Sequence, residues 1–87
     1  LENISLRSSE KRVVDLLLIY ARKFGKQTNA GIELQIPLSH QIIASNLNIA
    51  RETVSITLAK LQDMNLVVKA GHHILLLPDV DHLKSLR

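Results

Sequence analysis

The 87-residue chain has no cysteine and no tryptophan, with only Tyr20 and Phe24 as aromatic residues. The missing cysteines exclude disulfide staples and thiol chemistry and leave the redox compartment open. The shortage of flat side chains argues against a surface that stacks single-stranded or RNA bases. No apolar run reaches the ~18 to 20 residues needed to span a bilayer. The opening stretch, LENISLRSSEKR, lacks the apolar core of a signal peptide, so a cytoplasmic location is expected. There is no Gly-rich phosphate loop and no nucleophile elbow, and the serines sit at capping or surface positions, which argues against an enzyme. His72 and His73 are not a convincing metal site, because strand neighbours point to opposite faces and no further ligand is suitably spaced.

What is present fits one small domain. A chain of this length buries only about 60 to 65 % of its unfolded surface, so the core must be compact. Apolar residues make up 46 %, enough for a core without metal or disulfide. The net charge of +3 and a pI near 9.6 permit a polyanionic partner without requiring one. The first residue is Leu1 rather than Met, which suggests a piece of a longer protein.

The chain divides into short elements. Ser8 or Ser9 is expected to cap a helix, with Glu10 suiting its positive end. Leu17, Tyr20, Ala21 and Phe24 share one face, widened by Val13, Val14 and Leu18. Gly25 fits a left-handed C-terminal cap, and GKQTNAG over 25–31 reads as a loop. Arg22, Lys23 and Lys26 read first as a solvated helix end. Ile32, Leu34 and Ile36 alternate with polar residues as a short strand that Pro37 ends.

Ser39 caps the next helix, whose apolar side is Ile42, Ile43, Ala44 and Leu47. Asn48 suits a tight turn at positive φ. A helix over about 50–64 follows, with Val54, Leu58 and Leu61 inward and Asn65 as its left-handed cap. The runs 66–69 and 73–77 flank Ala70-Gly71-His72 as a hairpin, with Gly71 taking positive φ. Asp79 is suited to cap a short helix through Val80, Leu83 and Leu86. The order predicts an α+β, mostly α chain: a winged helix-turn-helix with a small antiparallel, three-stranded sheet.

The segment LSHQIIASNLNIARETVSITLAKLQDMNL with the wing VVKAGHHILL resembles the C-terminal DNA-binding domain of the Crp/Fnr superfamily of bacterial transcription regulators. Ser39-His40-Gln41 matches the family's cap, basic residue and Gln, with His for the usual Arg. Ala44 fills the small position where the helices touch. Arg51-Glu52-Thr53-Val54-Ser55 matches the opening of the recognition helix, and Leu58, Leu61 and Asn65-Leu66-Val67 match the lead-in to the wing. The likeness covers roughly residues 9 to 77. Three positions depart: Asn48 replaces a common Gly, Thr57 stands at a usually apolar position, and Ile56 stands where close relatives place a third base-reading Arg. The usual operator is therefore not implied.

The resemblance implies sequence-specific reading of duplex DNA, with the recognition helix in the major groove. Arg51 can fork onto guanine, and Glu52 can accept from a cytosine amino group or simply serve the helix dipole and pair with Arg51. Ser55 can touch base or phosphate or be only a solvated residue, and Ile56 can meet a thymine methyl or be packing. Ser39, His40, Gln41, Thr53, Lys69 and His72 are candidates for phosphate contacts.

On this reading 1–8 is the remnant of a linker or dimerisation helix, 9–78 the winged domain and 79–87 a tail. An N-terminal sensory domain, which would hold any effector, a homodimer on a palindrome, and RNA polymerase at 26–31 are further implications. No cofactor is expected in this domain. The rival reading is a winged-helix protein-interaction module without DNA readout, anchored at Ile56.

Overall fold

The computed structural model describes the backbone of residues 2–87 and side chains from residue 8. The first helix, α1, runs Glu2–Phe24. Ser8 and Ser9 therefore lie inside it and do not cap it. No Gly or Pro interrupts the stretch, and a serine within a helix costs only a few tenths of a kcal/mol. The expected remnant 1–8 lies largely outside the described side chains, and its backbone from Glu2 is continuous with α1. Val13, Val14, Leu17 and Leu18 are buried, while Phe24 is 41 % exposed at the helix end instead of joining them.

Gly25 does not take a left-handed conformation; it opens a strand, β1 (Gly25–Thr28). Space explains the glycine, since a Cβ there would lie 2.1 Å from the Ala21 carbonyl oxygen. The expected loop is thus half of a hairpin with β2 (Gly31–Leu34), in register Gly25↔Leu34 to Thr28↔Gly31. Thr28 closes the turn by donating from Oγ1 to the Gly31 carbonyl at 2.8 Å. Gly31 has φ 129°, and a Cβ would meet Leu77 O at 2.4 Å, so no other residue fits. β2 ends two residues before the expected limit, leaving Ile36 in a bend though still against the core.

Two helices follow, α2 (His40–Leu47) and α3 (Arg51–Asp63). Ser39 accepts from the Ile42 amide at 3.1 Å, as a cap should. Asn48 takes φ 55°, ψ 47°, and Asn65 takes φ 60°, both left-handed as their residue type allows. α2 buries Ile43 and Ala44, but Ile42 is 43 % exposed, one position off the buried face. α3 buries Val54, Thr57, Leu58 and Leu61, so the one polar residue on this stripe, Thr57, is inside at 4 % exposure.

The wing is β3 (Val68–Gly71) and β4 (Ile74–Leu77), with an irregularity between Lys69 and Gly71. Its turn is His72-His73 rather than 70–72, and His73 carries the positive φ (58°) expected of Gly71. The sheet is four-stranded and antiparallel in the order β1-β2-β4-β3, one strand more than expected. A last helix, α4 (Val80–Ser85), is capped by Asp79, which accepts from the His82 amide at 3.0 Å. The segment 79–87 contributes Leu83, fully buried, to the core. Among the described residues, no helix is long and apolar enough to cross a membrane.

Candidate nucleic-acid interface

α3 is held by its inner face and leaves its first turn open. Val54, Leu58 and Leu61 seat it on the core, where α1 meets both motif helices. Polar ties add to this: Lys60 bonds Glu10 at 2.8 Å, the Arg12 guanidinium donates to Leu47 O at the negative end of α2, and Asn46 donates to the Tyr20 hydroxyl. The start of α3 differs from that of α2. Its N-cap is Ala50, which supplies no side-chain hydrogen bond. Thr53 and Val54 amides bond back to Ala50 O at 3.1 and 3.2 Å. The amides before them are left to solvent or to a ligand.

The structure brings the four candidate base readers together. Arg51, Glu52, Ser55 and Ile56 alone line one shallow depression of about 440 Å³ on the outer side of α3. Ile56 is 61 % exposed and points away from the core. A single exposed apolar side chain is ordinary on a protein surface, so its exposure makes Ile56 available for contact without requiring a partner.

Beside this depression lies a cleft of about 440 Å³ between the start of α2, α3 and the wing. Ser39, His40, Arg51, Lys69 and His72 all line it. Four of the six candidate phosphate ligands are therefore on one wall system, together with Arg51. Gln41 and Thr53 do not line it: Gln41 is exposed and bonds Ser45 at 3.3 Å, and Thr53 is half-buried in the first turn of α3. Ser39 uses a lone pair as a cap, which leaves its hydroxyl hydrogen free to donate.

Sequence reasoning missed Gln62 and His73 in this cleft. His73 was expected inside a strand. Instead its carbonyl accepts from the Leu38 amide at 2.5 Å, which ties the wing tip to the start of α2. His40, already a candidate phosphate contact, also makes a bond within the protein. Its Nδ1 lies 2.7 Å from the Ser55 hydroxyl, bridging α2 and α3. Burial, and then the positive charges of Lys69, Arg51 and His73, lower its pKa below the ordinary 6.5. No group of three or more metal-ligating side chains occurs among the described residues.

The family described as the Crp-like helix-turn-helix domain matches residues 11–86. The chain belongs to that family. It is 36 % identical over 67 residues to the global nitrogen regulator of Synechocystis sp., covering 77 % of this chain and 30 % of that protein. The global nitrogen regulator of Nostoc sp. is 34 % identical over the same length, with the same coverage. This Crp-like domain thus spans about a third of the length of the curated relatives it matches.

Among solved structures, the CO-dependent transcription factor CooA from Carboxydothermus hydrogenoformans superposes with a TM-score of 0.88 at 28 % identity. That match covers 95 % of this chain and 38 % of CooA. Reduced CprK gives 0.81 at 25 % identity, covering 91 % and 38 %. The Crp-like domain is a winged helix-turn-helix of DNA-binding transcription regulation, and its relatives are transcription regulators.

Proposed function

We propose that α3 lies in the major groove of duplex DNA and reads sequence with Arg51, Glu52, Ser55 and Ile56. Ser39, His40, Gln41, Thr53, Lys69 and His72 then hold the flanking phosphates and fix the register. One observation carries this reading: the four readers line one open depression at the start of α3, flanked by a basic cleft shared with the wing. Arg51 supplies two parallel donors for guanine O6 and N7. Glu52 accepts from a cytosine amino group, which accounts for a carboxylate placed where phosphates come close. Ile56 offers only apolar contact and suits a thymine methyl.

The same reading extends to the longer protein. It acts in the cytoplasm as a homodimer on a palindrome, its half-sites about one DNA turn (~34 Å) apart. A separate N-terminal domain receives the effector, and the present domain needs no cofactor. Residues 26–31, at the tip of the β1–β2 hairpin, are mostly exposed and offer RNA polymerase a surface. Selection of the dimeric full-length protein against a random duplex pool tests the core of the proposal. A two-fold symmetric motif is expected. A pool that stays unenriched would reject DNA reading and favour a protein-interaction module anchored at Ile56.

A further inference from the structure

The hydrogen bond between His40 and Ser55 joins two surfaces. His40 lines the wing cleft, and Ser55 lines the depression on α3. The charge facing His40 has one sign: Arg51 from α3, Lys69 from β3 and His73 from the wing turn. His72 lines the same cleft, and among the described residues no carboxylate does; Glu52 belongs to the adjoining depression. With no phosphate present, burial and these cations favour the neutral imidazole.

A hydroxyl has a single hydrogen to donate. When neutral His40 accepts at Nδ1, Ser55 commits that hydrogen to the imidazole and presents only lone pairs outward. When Nδ1 is protonated, the direction reverses. The N–H donates to Ser55 Oγ, and the Ser55 O–H is free to point at the depression on α3.

We propose that His40 is a positioning residue that couples DNA binding to the uptake of one proton per subunit. A backbone phosphate enters the cleft between the start of α2 and the wing. His40 takes a proton from solvent at Nδ1, forming one N–H bond, and Ser55 keeps its own hydrogen and turns it from His40 to an acceptor on the DNA. The phosphate drives the step because its negative charge offsets Lys69, Arg51 and His73, which otherwise oppose a further cation. This rests on α3 being the recognition helix. The sign follows: the imidazole titrates below 6.5 in the free domain and higher in the complex. Between those values affinity rises as pH falls, by up to about tenfold per pH unit per subunit.

The test measures binding of the full-length protein to a fluorescent mixed-sequence duplex of about 20 base pairs, two turns long. Salt is held constant from about pH 5.5 to about pH 7.5, the range over which histidine changes charge. The wild type should tighten toward low pH. His40→Gln should bind with a flattened profile, and His40→Arg, always charged, should bind tightly without a His40-dependent slope. Nitrogen-15 spectra should show the His40 Nδ1 unprotonated in the free protein and protonated in the complex near neutral pH. A His40→Gln profile as steep as wild type overturns the inference, and so does an Nδ1 that stays unprotonated on DNA. Duplex binding that is flat with pH overturns the inference alone. No binding at any pH overturns the recognition-helix reading and this inference with it.

Discussion

α3 has two sides built by different rules. Val54, Thr57, Leu58 and Leu61 face inward and are almost fully covered, so their worth is measured in folding stability. Arg51, Glu52, Ser55 and Ile56 face outward around a shallow depression, and apart from the His40 bond at Ser55 they hold up little of the fold. The contrast teaches where mutations should separate. Changes on the inner side should alter stability and leave the binding chemistry of folded molecules intact. Changes on the outer side should do the reverse.

The largest effect is expected at Leu58. Leu58→Ala removes a fully seated side chain and should cost about 2–5 kcal/mol in denaturant unfolding. The folded fraction should keep its sequence preference, and a loss of preference at full folding would blur the two sides. Arg51→Ala should cost about 1–3 kcal/mol of affinity for the selected site. Its unfolding midpoint should barely move, because the residue is exposed. An equal loss on a scrambled duplex would mean that Arg51 holds phosphate instead of reading a base.

Ala50 lies at the join of the two sides. Ala50→Ser supplies the missing cap and should stabilise the domain by about 1 kcal/mol, read by thermal unfolding. Lys69→Ala, on the wing, should weaken selected and scrambled duplexes alike and reduce the slope of log K against log salt by about 0.9. The smallest effect is on stability against pH. Because the folded-state value of His40 lies below the unfolded value near 6.5, its contribution is fully present above that value. It is lost as pH falls from there through the lowered folded value, and His40→Gln should remove that part of the acid sensitivity.

Much of the frame was legible because certain residues do one local job well. Ser39 and Asp79 accept amides at helix starts, and Asn48 and Asn65 tolerate left-handed backbone. The spacing of Val54, Leu58 and Leu61 fixed which way α3 must turn, and so placed Arg51 and Glu52 in solvent. Elsewhere local signals failed. Gly25-Lys26-Gln27-Thr28 shows no apolar alternation, so nothing in it marks β1; pairing with β2 makes it a strand. The positive φ in the wing falls at His73, two residues past Gly71, because β3 continues through Gly71 beyond the irregularity that follows Lys69. Ile42 and Phe24 matched apolar stripes yet lie at their edges, where periodicity alone does not say how far a neighbour extends.

The sequence by itself determined the helix-turn-helix, its caps and the polarity of α3, because each depends on contacts within a few residues. Only the tertiary structure decided the β1-β2-β4-β3 order and the clefts on either side of Arg51. It alone decided the bond from His40 to Ser55, fifteen residues apart. Those features depend on how α2, α3 and the wing are clamped together, through contacts such as Leu38 to His73 that no local pattern encodes.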